Sequence, residues 1–269
     1  MPQTVLVTGA SSGIGAATAR LFHARGFTVF GTTRVANPVS PVEFTMLSLD
    51  VTSDTSVRDG IDHVISQTGR IDILVNNAGY ALNGAAEETS LAEAKDQFET
   101  NFFGAVRTIN AILASMRQAR AGRIINIGSL VGLIAIPYAA FYSATKFALE
   151  AYSESLWYEL KPFGITVSLI EPGFVRTSIS HASRIAAASR PAYNGPRTRV
   201  IAAIKSGVDK GCLPERVAKS VLLAAESPNP RLRYRVGFDS LWLPRLRKAV
   251  PWNFFASGLR RQFGLDAKA

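Results

Sequence analysis

Tyr142 and Lys146 stand four positions apart in Tyr142-Ser-Ala-Thr-Lys146, a spacing that puts both side chains on one helix face about one turn apart. A phenol with an ordinary pKa of about 10 exchanges protons poorly near neutrality. An ammonium held about 5 Å away, in an effective dielectric near 20, attracts the phenolate by about 3 kcal/mol. That lowers the phenol by about two pH units and makes the pair an expected acid/base centre. Ser129 lies upstream at the end of an apolar run. Its hydroxyl could hold a substrate oxygen at the same sheet edge or simply cap a turn. Asn101 falls inside a long helical stretch, where asparagine is a poor helix former; a kink holding a water and a solvent-facing side chain are both open readings.

A second set of residues suits an anion. Thr8-Gly9-Ala10-Ser11-Ser12-Gly13-Ile14-Gly15 follows a short β-branched run and leads straight into a helical pattern. Small residues let backbone amides and the positive end of a helix dipole approach a pyrophosphate, although such a loop can also be a tight turn. Arg34 ends the second apolar run, and no Asp or Glu occurs between Gly26 and Val42. A guanidinium there suits the 2′-phosphate of NADP, whereas an acid would suit the ribose hydroxyls of NAD. Asp50-Val51 and Asn76-Asn77-Ala78-Gly79 close the third and fourth runs, where a helix cap and a turn are the ordinary alternatives.

These residues need a scaffold, and the pattern supplies one. Strands are expected at 4–8, 27–32, 44–49, 71–75, 123–127, 165–170 and 233–237. Helices are expected from 13 to Gly26, at 54–68, 90–120, 141–161 and 214–226. Strands that interleave with helices in this way imply an α/β fold, a doubly wound parallel sheet of about seven strands with helices on both faces. Residues 178–213 read as an irregular loop region that would help form a substrate pocket, and 240–265 as one or two amphipathic helices packed on the body or seeking a membrane surface. At 269 residues the chain suits one domain.

Composition narrows the function classes. The single Cys212 excludes an intrachain disulfide framework, and His23, His63 and His181 show no metal-ligand spacing, so no metal is expected. No targeting peptide is visible at the N-terminus. The longest nearly uncharged apolar stretch, Leu130 to Tyr142, contains Pro137 and is too short to span a hydrocarbon layer of about 30 Å. A cytoplasmic protein is expected, with peripheral membrane contact as its variant. Charge is uneven: residues 1–175 carry 12 basic and 15 acidic side chains, and residues 176–269 carry 18 and 5. The basic half is read by default as a solvated face, and no reading motif accompanies it to favour nucleic acid.

Together these motifs resemble the short-chain dehydrogenase/reductase family over about residues 4–177. They run in family order: Thr8-Gly9-x-x-x-Gly13-x-Gly15, Asp50, Asn76-Asn77-Ala78-Gly79, Asn101, Ser129, Tyr142-x-x-x-Lys146 and Pro172-Gly173-x-Val175-x-Thr177. The resemblance implies that Tyr142 is the catalytic acid/base, that Ser129 orients the carbonyl or hydroxyl, that Lys146 also binds the nicotinamide ribose and that Asn101 supports a relay water. It implies cofactor contacts from the Gly9–Gly15 loop, from Asp50 and Val51 to adenine, from Asn77, Ala78 and Gly79 to ribose, and from Pro172, Gly173, Val175 and Thr177 around the nicotinamide. Arg34 matches the NADP-preferring pattern, while the basic residue often seen inside the glycine loop is replaced by Ser11 and Ser12.

The region after 177, notably Arg231–Gly237 and Leu259–Leu265, is similar to hydroxysteroid and retinol dehydrogenases. That similarity implies a lipophilic alcohol or ketone bound near Leu130–Tyr138 and the loop after Thr177. Val131, Leu133, Ile134 and Ile136 are the apolar residues expected to line that pocket, unless they belong to the core. The expected activity is hydride transfer between NADP(H) and such a substrate, in a homodimer or homotetramer. The alternative is a non-catalytic dinucleotide sensor or a membrane-surface interaction protein on the same fold.

Overall fold

The computed structural model describes residues 2–36, 43–177 and 183–266; His23 and His63 lie within this set and His181 outside it. Seven parallel strands form one sheet in the order β3-β2-β1-β4-β6-β7-β9. They are β1 (Thr4–Val7), β2 (Thr28–Thr33), β3 (Thr45–Ser48), β4 (Ile73–Asn76), β6 (Gly122–Ile127), β7 (Ile165–Pro172) and β9 (Arg233–Val236). The order reverses between β1 and β4, which opens a crevice at the carboxyl ends of the strands, where ligands of such sheets collect. The expected doubly wound α/β architecture is therefore present.

Successive residues of a strand face opposite sides of the sheet, and the core divides accordingly. Val5 and Val7 join Ala19 and Phe22 of α1 (Gly13–Ala24) and Val217 and Val221 of α7 (Pro214–Glu226) on one face. Leu6 turns the other way. It joins Ile61 of α2 (Asp54–Thr68), Ile112 of α4 (Gly104–Ala119) and Leu156 of α5 (Ala140–Leu160). With both faces covered, the strands need apolar runs rather than alternation.

Local chemistry sets the helix ends near the crevice. Ser53 Oγ accepts from Ser56 N at 3.2 Å to start α2, and Gly69 ends it at φ 81°. Ser12 makes no such side-chain bond at the start of α1, so the first-turn amides there are not capped by it.

Three departures from the expected pattern matter for function. The stretch 90–120 is not one helix: α3 (Leu91–Phe98) passes through a π-helical turn, Glu99–Phe103, before α4 begins. The loop region contains a helix, α6 (Asn194–Asp209), which Gly195, Pro196 and Gly207 concealed in the sequence. A two-residue strand β8 (Arg184–Ile185) also pairs in parallel with β5 (Leu82–Asn83). At the C-terminus, where one or two amphipathic helices are expected over 240–265, there are two, α8 (Phe238–Ala249) and α9 (Trp252–Gln262).

Candidate active site

A cavity of about 810 Å³ runs along the sheet edge from the glycine loop to the ends of β2 and β3, walled by Ser11, Ser12, Gly13, Arg34, Asp50 and Asn77 among others. The loop is stapled to β4. Thr8 Oγ1 accepts from the amides of Asn77 and Ala78 at 2.9 and 3.0 Å, and Asn77 Nδ2 donates to the Thr8 and Gly9 carbonyls, each at 3.0 Å. Gly9 has φ +65°, and a Cβ there would approach Ala78 Cα to 2.9 Å; a Cβ on Gly15 would collide with the Gly9 carbonyl. The floor of the cavity is therefore bare backbone at the amino end of a helix, which fits a pyrophosphate. Asp50 is spent partly on its own turn, accepting from Thr52 N and Oγ1 at 2.9 and 2.8 Å, while Ser53 caps the helix. Arg34 lies exposed at the rim, and among the described residues it pairs with no carboxylate.

A second cavity of about 560 Å³ joins the first along Ile14, Asn77, Gly79, Tyr80 and Thr177. Ser129, Tyr142 and Lys146 meet on its wall. Ser129 follows β6 and caps the turn after it, its oxygen accepting from Val131 N at 3.3 Å, while its hydroxyl lies within hydrogen-bonding reach of the Tyr142 phenol. Lys146 is buried and donates to the Ile127 carbonyl at 2.7 Å. Asn101 sits in the π turn with its side chain engaged. Its Oδ1 accepts from Tyr80 N at 3.0 Å, and its Nδ2 donates to Tyr80 O at 2.9 Å and Thr145 Oγ1 at 3.3 Å. A separate cavity of about 10 Å³, lined by Asn101, Lys146, Asn76 and Thr8, is the size of one water.

The protonation behaviour corrects the Coulomb argument made from spacing alone. The protein's own groups raise Tyr142 above the ordinary phenol value: desolvation dominates, and the Ser129 hydrogen bond only partly offsets it. Lys146 is lowered to about 8, again by burial, with Glu150 pulling the other way. The Lys146 ammonium is held on a carbonyl and is costly to keep charged in this site, so it does not turn Tyr142 into a phenolate by itself.

The second cavity is mainly apolar. Leu130, Val131, Ile134 and Ile136 line it as expected; Leu133 is not on its wall. The far side comes from Ile201, Ile204 and Val208 of α6, inside the expected pocket-forming region 178–213 but not singled out by number, and from Leu243, Leu259 and Phe263, expected on amphipathic helices rather than on this wall. The 200, 201, 204 and 208 spacing of apolar residues was the available signal for α6. Pro172, Gly173, Val175 and Thr177 lie between the two sets. Asp239, also not singled out, anchors them: its Oδ2 accepts from Phe174 N at 2.8 Å. Every expected site residue thus lines a cavity except Gly15, which shapes the loop from behind.

Beneath the site lies a buried acidic pair. Glu150 on α5 and Glu171 on β7 are 5% and 0% exposed; Arg233 Nε contacts both at 3.2 Å, and Arg235 Nε contacts Glu171 at 3.1 Å. Burial and then the Glu171 charge push Glu150 up to about 8, against the pull of Arg233. Glu171 is raised as well, first by burial, so the pair keeps a proton above the usual carboxylate range.

Comparison with known proteins agrees with this geometry. The family model described as short chain dehydrogenase matches residues 3–187. The chain is 40% identical over 239 residues, 88% of each protein, to the 3-ketodihydrosphingosine reductase of Bacteroides thetaiotaomicron. It is 35% identical over 254 residues to human retinol dehydrogenase 8, covering 86% of this chain and 80% of the relative. The solved structure of ElxO with NADP bound superposes with a TM-score of 0.73 at 27% identity, over 88% of this chain and 96% of that one. The chain belongs to the short-chain dehydrogenase family of NAD(P)(H)-dependent oxidoreductases.

Proposed function

We propose that the protein is an NADP(H)-dependent reductase or dehydrogenase of a lipophilic ketone or alcohol. The observation that carries this reading is the meeting of Ser129, Tyr142 and Lys146 on the wall of an apolar cavity that is continuous with a glycine-floored, arginine-rimmed one. When bound, the nicotinamide supplies or accepts the hydride. Ser129 holds the substrate oxygen beside Tyr142, and Tyr142 Oη gives that oxygen its proton in reduction or removes it in oxidation. A phenol raised above its ordinary value is protonated at neutral pH, the form that can donate to a carbonyl oxygen. Lys146, held by Ile127 O, is the group placed to return a proton, with the water-sized cavity beside Asn101 behind it.

NADP is preferred because Arg34 stands where an NAD-binding fold places an acid and pairs with no carboxylate among the described residues. The NADP-bound structural relative supports this choice, and the 3-ketodihydrosphingosine reductase and the retinol dehydrogenase among the sequence relatives support the substrate class. The test is NADPH or NADH oxidation against a panel of long-chain, steroid and retinoid ketones. NADPH oxidation with long-chain or polycyclic ketones is expected, and exclusive use of small polar ketones would contradict the substrate class.

Contact with a membrane surface is a second, compatible reading. Phe238 and Phe254 are each 76% exposed, and Trp252, 57% exposed, stacks under Arg247 at 4.4 Å. Aromatic rings beside basic side chains suit the boundary of an anionic bilayer, and the same helices cover the lipophilic cavity. Among the described residues, no helix is long and apolar enough to cross a membrane. Leu91, Phe103, Phe147 and Tyr158 expose apolar area between α3 and α5. That surface suits a homodimer or homotetramer, a mass that light scattering measures.

A further inference from the structure

The unexplained feature is Arg184. It comes from the C-terminal half of the chain yet stands on the wall of the glycine-loop cavity, together with Ser11, Ser12, Gly13 and Arg34. Its guanidinium lies 4.4 Å over the Tyr80 ring, and among the described residues it forms no ion pair. Stacking on an aromatic face fixes the planar fork in one orientation while its N–H groups stay available. Burial raises the Tyr80 phenol, and the charges of both Arg184 and Arg34 act against that rise, so both guanidiniums are felt at one ring.

The backbone holds Arg184 there. Its amide donates to Ala81 O at 2.8 Å, and Ala186 N donates to Asn83 O at 2.9 Å, which pairs β8 with β5. Two carboxylates fasten the following residues: Glu93 Oε1 accepts from Ala187 N at 2.9 Å, and Glu88 Oε1 from Arg190 N at 2.8 Å. Glu88 is also paired with Arg197. Those acids are thus engaged away from Arg184. Tyr80, the ring beneath it, is clamped through its own backbone to Asn101.

We propose that Arg184 is a second cationic contact for the phosphate groups of the bound dinucleotide, placed opposite the glycine loop by the β5–β8 pair. Resting on the proposed NADP(H) reading, this gives the substrate-side segment a direct share in cofactor binding. Among the described residues that line this cavity, only Arg34 otherwise carries a full positive charge, whereas Ser11 and Ser12 stand where a basic side chain would enter from the loop itself.

Isothermal titration of NADPH and NADH into the unaltered chain, Arg184→Gln and Arg184→Lys tests this. Arg184→Gln is expected to raise the Kd for NADPH about tenfold and to flatten its dependence on salt, with Arg184→Lys recovering part of the affinity. A loss shared by both dinucleotides assigns the contact to the pyrophosphate, and a loss confined to NADPH assigns it to the 2′-phosphate; either result carries the inference. An unchanged Kd and salt slope in Arg184→Gln, with the unaltered chain binding NADPH, would overturn the inference alone. Failure of the unaltered chain to bind either dinucleotide would overturn the proposed cofactor and the inference with it.

Discussion

The body of the molecule, residues 3–177, and the C-terminal part, 183–266, build the two halves of the site by different means. In the body, backbone does the positioning. A glycine loop, two strand ends and one helix turn hold Thr8, Asn77, Ser129, Tyr142 and Lys146 through short hydrogen bonds to main-chain atoms or to one another. In the C-terminal part, Arg184 apart, side chains do it: Ile204, Val208, Leu243, Leu259 and Phe263 form an apolar wall that can be redrawn residue by residue. On the proposed function, chemistry that requires fixed geometry would sit on the first, and selection of a lipophilic substrate on the second.

The sharpest way to separate the halves is to alter one charge in the body. Arg34→Ala should raise the Kd for NADPH by about ten- to a hundredfold and leave that for NADH nearly unchanged; equal losses for both would remove Arg34 from 2′-phosphate recognition. A smaller effect belongs to the C-terminal surface. Replacing Trp252 and Phe254 together by Ser should weaken sedimentation with anionic vesicles about tenfold without changing NADPH affinity. Vesicle binding that survives the double replacement would place the membrane contact elsewhere.

The smallest effect is expected at the junction, where Arg233 of β9 meets Glu150 of α5. Glu150 is raised from 4.5 to about 8, so the folded chain keeps a proton that the unfolded chain has lost between those values. Its contribution therefore makes stability fall as pH rises through that window. Glu150→Gln should flatten the decline of Tm between about pH 5 and 8, with Glu171 retaining the remainder. An unaltered slope would show that Glu150 does not hold the proton.

This contrast also explains what could be read from the chain in advance. The body was legible because a buried parallel strand requires an apolar run, and the turn after it requires small residues at set positions, as in Val5–Gly15. Helix α6 was not, because Gly207 near its end and Gly195-Pro196 at its start lower local propensity, and packing against the cavity wall decides the outcome. Asp239 and Arg184 were hidden for a different reason: their partners, Phe174 and Tyr80, are distant in sequence and no local spacing connects them. Spacing correctly put Tyr142 beside Lys146 but misjudged the sign of the phenol's shift. Charge separation can be guessed from a helix, whereas desolvation depends on everything packed around it.

In the proposed reaction Tyr142 transfers the proton while the rest of the site binds cofactor. Single-turnover reduction of an accepted ketone by Tyr142→Phe, alongside its NADPH Kd and Tm, tests it directly. A loss of about a hundred- to ten-thousandfold in rate with affinity and melting unchanged is predicted. A rate within a few-fold of the unaltered enzyme would remove Tyr142 from proton transfer.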